Sequence, residues 1–238
     1  MQEYIARDTW GKDPRTWHRF FSEENLQAIL REDGYPDSIR SLVLVAYSAG
    51  RPLDEIASYV EALLRRTVET NRKNIASGFN RYVGGDGYQA AGVYQDHYLW
   101  TLGLGVLFRV PPPLIEALLQ ELVHTDALLD AIATGAFPNR PIVRRQFHLE
   151  PWKELYEAVE AEPVRRPLLV EGYLQVWYAK RMRGMFWKNS HVRGAYVGYW
   201  CIEAAALSAA LNIDDSSFRK HPHYPRDMVS YYRSHPAA

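Results

Sequence analysis

The stretch from Ala195 to Leu211 is apolar on every face at helical spacing, and Glu203 is the one charge within it. A helix of that kind has no side to turn towards water, so other elements must enclose it. Its carboxylate needs partners there, because a stranded buried charge costs several kcal/mol in order of magnitude. Glu203 is expected to pair with an arginine from the 165–193 region or with tyrosine hydroxyls. Gly194, Gly198, Cys201 and Ala205 place small residues on one face, where a neighbouring helix can approach closely.

The rest of the chain supplies the enclosure. Trp17, Phe20, Phe21, Leu26, Ile29 and Leu30 recur at helical spacing from Pro14 to Leu30, and Gly34 and Pro36 break the run. Ser38 to Ser48 is short and apolar, and its Leu42-Val43-Leu44-Val45 suits a strand as well as a helix. Pro52 opens a clearer helix, with Asp54 and Glu55 near its positive end and Arg72 and Lys73 near the other. A glycine loop at 84–87 follows, then a helix over Tyr88–Arg109. The Pro111-Pro112-Pro113 run stops that helix and starts another, predicted from Leu114 to about Thr134. Further helices are predicted over Gln146–Glu160 and Pro167–Met185, before the apolar one. Strand signals are otherwise nearly absent, so the expected fold class is all-α, a helical bundle of roughly eight or more helices. It divides into an N-terminal helical region, 1–110, and a C-terminal helical domain, 111–238, packed closely together.

Aromatic residues are plentiful in the 238-residue chain, with 7 Trp, 16 Tyr and 8 Phe, so a large core is within reach. The 28 basic and 28 acidic residues balance, which gives no support to direct nucleic-acid binding. Cys201, the single cysteine, can close no internal disulfide, and the longest apolar run, Tyr98 to Phe108, is too short to span a bilayer. No secretory signal is visible at the start, so the expected compartment is the cytoplasm.

No coherent catalytic site emerges, and neither a cofactor nor a metal is expected. The glycine loop lacks the Lys-Ser/Thr of a phosphate-binding loop. Glu121 and His124 form one E-x-x-H, whereas di-iron bundles need two such motifs and further carboxylates. Asp214, Asp215, His221, His223 and Asp227 resemble metal ligands by type, but helix-end chemistry explains them better. Asp214 or Asp215 can cap a short turn through Ser217, and Pro225 can open a last helix with Asp227 near its positive end. The alternative is a helical metalloprotein or enzyme that uses Glu203, His124 or the 214–227 cluster.

Charge is uneven along the chain. Residues 111–162 hold 4 basic and 9 acidic side chains, and residues 163–193 hold 7 basic and 1 acidic. Either these neighbouring helices pair with each other, or an acidic face is offered to a basic partner.

The block Tyr196-x-Gly198-Tyr199-Trp200-x-x-Glu203-Ala204-Ala205, then Ile213-Asp214-Asp215-Ser216-Ser217, then His221-Pro222-x-Tyr224-Pro225-x-Asp227, resembles the C-terminal domain of the PoNi-like immunity proteins. The match covers about 35 residues, with one departure, Met228 in place of an aliphatic residue such as Leu. The resemblance implies a non-enzymatic antidote to a polymorphic DNase toxin, often one delivered by a type VI secretion system. It also implies that Tyr196, Gly198, Trp200, Glu203, Asp214, Asp215, Tyr224, Pro225 and Asp227 hold the fold. For the toxin-contacting surface the acidic stretch is expected to serve, through Glu116, Glu121, Asp126, Asp130, Glu154 and Glu157. A nuclease's DNA-binding groove is basic, and carboxylates can occupy it as phosphates would.

Overall fold

The computed structural model describes residues 21–31, 35–76, 94–122, 125–147, 149–181 and 199–235. The helix start at Pro14, the 84–87 loop, and the segments holding His124, Tyr196 and Gly198 lie outside them. Among the described residues there are ten α-helices and no strand, which is the all-α class that the spacing predicts. They are α1 (Glu23–Leu30), α2 (Pro36–Ser48), α3 (Leu53–Ala76), α4 (Trp100–Leu107), α5 (Pro112–Gln120), α6 (Ala127–Ala133), α7 (Leu149–Glu160), α8 (Arg166–Val176), α9 (Ile202–Ala210) and α10 (Arg226–Ser234). Wider π-helical turns occupy Tyr94–Leu99, leading into α4, and Trp177–Arg181, extending α8.

α2 resolves the one helix–strand ambiguity. Pro36 sits in its first turn with φ already suited to a helix, and Leu42 to Ser48 are buried on all sides. All-round burial removes the two-faced surface on which β-branched residues favour a strand.

At the centre lies α4, every residue of which is buried. It packs against α3, α5, α6, α9 and α10. Close approach is built in by glycine. A Cβ on Gly103 would lie 3.0 Å from that of Ala206 in α9, and one on Gly105 would lie 2.8 Å from Leu64 Cδ2 in α3. In turn α9 is enclosed by α4, α6, α8 and α10, as an all-apolar helix requires.

Several helix ends differ from the sequence reading. The run from Leu114 to Thr134 is two helices, because Asp126 caps a new one: its Oδ1 accepts the Leu129 N–H at 2.9 Å. Continuous apolar spacing hides that break. The helix placed over 195–211 has its described start at Ile202, since the Cys201 N–H is taken by the His223 carbonyl at 2.9 Å. In α7, Glu150 is extended (φ −90°, ψ 126°), the conformation that the following Pro151 imposes.

Three helices end with a left-handed residue and a 6→1 hydrogen bond: α2 at Gly50 (φ 72°), α4 at Arg109 (φ 54°) and α9 at Asn212 (φ 49°). Arginine is an uncommon choice for that conformation. Its side chain offsets the cost, lying 3.6 Å over the Tyr232 ring while Nε and Nη2 donate to the Tyr232 carbonyl at 3.2 and 3.1 Å. The last helix is thereby fastened to the end of the central one.

Gly135, just after α6, accepts the Tyr232 hydroxyl on its carbonyl at 3.0 Å. A Cβ there would meet Val106 Cγ1 at 2.5 Å and Ala210 Cβ at 3.2 Å. Gly135→Ala is expected to lower unfolding free energy by about 2 kcal/mol through overpacking, as read by urea denaturation.

Candidate functional site

Glu203 stands in the first turn of α9 with no exposed surface, where the helix dipole favours negative charge. Its Oε2 accepts the Trp100 indole N–H at 2.8 Å. Its Oε1 accepts the Trp177 indole N–H at 2.7 Å and the Tyr173 hydroxyl at 2.8 Å. The tyrosine partner is of the expected kind. The arginine alternative is not realised among the described residues. Two tryptophans do that work, one at the start of α4 and one in the π-helical turn after α8. Beside them, burial and then the Glu203 carboxylate push the Cys201 thiol well above its usual range, so it is no nucleophile.

Asp126 and Asp130, expected on the partner-facing surface, are instead inside. Asp126 has 0% exposure and Asp130 1%. Besides capping α6, Asp126 accepts the Tyr94 hydroxyl at 2.9 Å, the Phe147 N–H at 3.4 Å and a short bond from Tyr156. Burial pushes its carboxyl up, against the opposing pull of those donors. Asp130 accepts Arg140 Nε at 2.8 Å, with the Thr125 hydroxyl and the Val143 N–H each at 3.2 Å. A count of charge along the chain cannot register that two of its carboxylates are consumed internally.

The C-terminal block forms a second anchored unit. Asp214 Oδ1 accepts the Ser216 N–H at 3.0 Å, so the turn closes on Ser216 and not through Ser217. Asp215 is buried, with Arg219 Nη1 at 2.7 Å, Arg233 Nη1 at 2.9 Å and the Tyr224 hydroxyl at 3.2 Å. Burial raises its carboxyl, but the two guanidinium groups and the phenol outweigh that and hold it below the usual range. Pro225 precedes α10, and Asp227 lies in that helix's first turn, as expected. Trp200 is buried, its indole N–H donating to Ser48 Oγ at 2.7 Å. Spacing alone did not reveal Arg219 and Arg233. The available signals were the i, i+4 relation of Arg219 to Asp215 and the basic last turn of α10.

His223 is enclosed by rings, stacked on Tyr178 at 4.5 Å and edge-on to Tyr199 at 4.7 Å, and its Nδ1 lies 2.9 Å from the Tyr199 carbonyl. Among the described residues no group of three or more His, Cys, Asp or Glu is placed to hold a metal ion. Of the remaining acidic candidates, Glu116 and Glu157 are exposed, and Glu154 is half-buried. Glu121 lies mostly covered against Arg72 Nε at 2.8 Å. No helix is long and apolar enough to cross a membrane, among the described residues.

Over residues 124–228 the chain matches the family model of the PoNe immunity proteins (PoNi), C-terminal domain. Its fold is similar to the crystal structure of protein PA2201 from Pseudomonas aeruginosa, with a TM-score of 0.64 at 23% identity, covering 98% of this chain and 86% of that one. No curated protein matches the chain.

Two measurements check this internal anchoring. Trp100→Phe removes the indole donor on Glu203 Oε2, whereas Trp177→Phe leaves Oε1 with Tyr173. In chemical denaturation the first is expected to cost about 3 kcal/mol and the second about 1 kcal/mol less. The second measurement concerns Asp215, whose folded-state value is depressed. Its contribution is therefore full above its unfolded value of about 4 and is lost as pH falls through the folded one. The stability gap between the protein and Asp215→Asn should be flat near neutrality and shrink below about pH 4. A gap that stays constant on acidification would contradict the ion-pair account.

Proposed function

We propose that this chain, PoNi-like through residues 124–228, is an immunity protein that binds and neutralises a cognate bacterial nuclease toxin. The toxin in this reading is a DNase, of the kind delivered by type VI secretion. Neutralisation takes place in the cytoplasm of the producing cell, by covering the active site or the DNA entry. The family match is the observation that carries the proposal. A physical argument supports it: Glu203, Asp126, Asp130 and Asp215, the buried carboxylates of the helical core, are each occupied by internal donors. Carboxylates held in this way tie the fold together, and a binding role asks nothing further of them. The division into 1–110 and a C-terminal immunity domain, 111–238, belongs to the same reading.

Contact through exposed carboxylates extends it. A basic DNA-binding groove attracts them at long range, and complementary charge raises encounter rate and sets partner choice. Glu116 and Glu157 are available for this and Glu154 partly so, whereas Asp126 and Asp130 are withdrawn.

The direct test is to look for a nuclease-toxin reading frame neighbouring this one and to co-express its product with this chain. The expected results are survival of the cells, intact plasmid, and a complex on pull-down. Cells that die regardless would leave a scaffold without an immunity role. A stoichiometric, tightly bound metal in the purified protein, found by elemental analysis, would favour the metalloenzyme alternative. Reversing Glu116, Glu154 and Glu157 together should weaken the complex and make its affinity less sensitive to salt.

A further inference from the structure

Val164, in the short 3₁₀ turn Pro163–Arg165, and Leu168, in the first turns of α8, stand four residues apart and are 86% and 71% exposed. Val164 stands at the entry to the helix on whose first turn Leu168 is exposed. Four residues further on is Gly172, in the interior of α8, where glycine weakens a helix relative to any ordinary residue. Elsewhere a close neighbour accounts for the glycine: a Cβ would meet an atom at 3.0 Å on Gly103, 2.8 Å on Gly105 and 2.5 Å on Gly135. At Gly172 nothing among the described residues lies within 4 Å of that position. The described residues therefore leave the α8 backbone at Gly172 open to close approach.

The border of this face has a sign. Glu157, Glu160 and Glu162, on α7 and the loop that joins it to α8, are exposed, with Lys153 and Arg165 as the exposed cations beside them. Along α3 the glutamates are neutralised in place, Glu55 by Arg51 at 2.7 Å, Glu61 by Arg65 at 2.5 Å and Glu69 by Arg66 at 2.8 Å. At this corner Glu157 has Lys153 only at 3.9 Å, and Glu160 and Glu162 have no ion-pair partner among the described residues. Apolar side chains with carboxylates in excess at their border suit a protein-binding patch, with anchor contacts in the middle and charge at the edge.

We infer that the Val164–Leu168–Gly172 face, rimmed by Glu157, Glu160 and Glu162, receives a basic face of the nuclease toxin. The inference rests on the immunity reading. An apolar side chain of the toxin packs on Val164 and Leu168, its backbone passes close over Gly172, and its basic residues meet the rim.

The test measures affinity for the nuclease toxin from which this chain rescues cells in co-expression, carrying an inactivated active site, with melting temperature and light scattering recorded for each variant. Leu168→Asp is expected to weaken binding about a hundredfold, with the melting temperature held, because the position is exposed. Gly172→Gln is expected to raise the melting temperature by a few degrees and yet weaken binding about tenfold or more. That combination cannot come from misfolding. Both variants binding within about twofold of the parent protein would overturn the surface and leave the immunity reading standing. A parent protein that fails to bind the toxin would overturn both. A dimer that Leu168→Asp converts to monomer, with toxin binding unchanged, would assign the face to a second copy and also overturn the proposal.

Discussion

Glu203 imposes conditions on three parts of the chain at once. With its carboxylate fully enclosed, every donor that reaches it must come from a neighbouring helix, and each must arrive at hydrogen-bonding distance with its ring edge turned inward. Trp100 comes from the start of α4, and Tyr173 and Trp177 from α8 and its π-helical extension. A neutral donor set of this kind satisfies the charge without bringing a second ion into the core, which would add its own desolvation cost. The price is geometric: α4, α8 and α9 can shift little against one another without stranding an oxygen.

Other buried carboxylates tie elements together at the periphery, Asp126 through neutral donors and Asp215 through ion pairs as well. Asp126 joins the turn before α4 to the start of α6 and to Tyr156 on α7. Asp215 joins the turn after α9 to α10 through Arg219 and Arg233. Many of the helices are short, and a short helix has little stability by itself. Polar ties at the junctions specify which end meets which, a job that apolar packing alone does loosely.

Much of this architecture was legible in the sequence because it follows from period and punctuation. The all-round apolar run demanded enclosure, and prolines at 52, 111–113 and 225 marked where helices begin. The donors of Glu203 were half legible. Tyrosine hydroxyls are an obvious choice, but an indole N–H hides inside a residue that reads as apolar, and Trp100 is 103 positions away. The break before α6 was hidden for the opposite reason, since apolar spacing continues across it and only Asp126 marks the cap. Charge along the chain misled at Asp126 and Asp130, because linear charge says nothing of burial. Gly172 had no signal in the sequence at all. A glycine is informative only when the space around it is known.

The fastening of α10 to α4 has a consequence for how the protein comes into being. Residues 100–107 emerge from the ribosome well before the segments that cover them, for α9 closes over Gly103 and the Arg109 guanidinium waits for Tyr232. Contacts so distant in sequence form late and slowly. Until roughly residue 232 has left the exit tunnel, the nascent chain carries its most apolar helix with only the part of its cover that α3, α5 and α6 supply. On the proposed immunity reading, protection begins only some time after synthesis, with a delay set by the docking of α10 on α4.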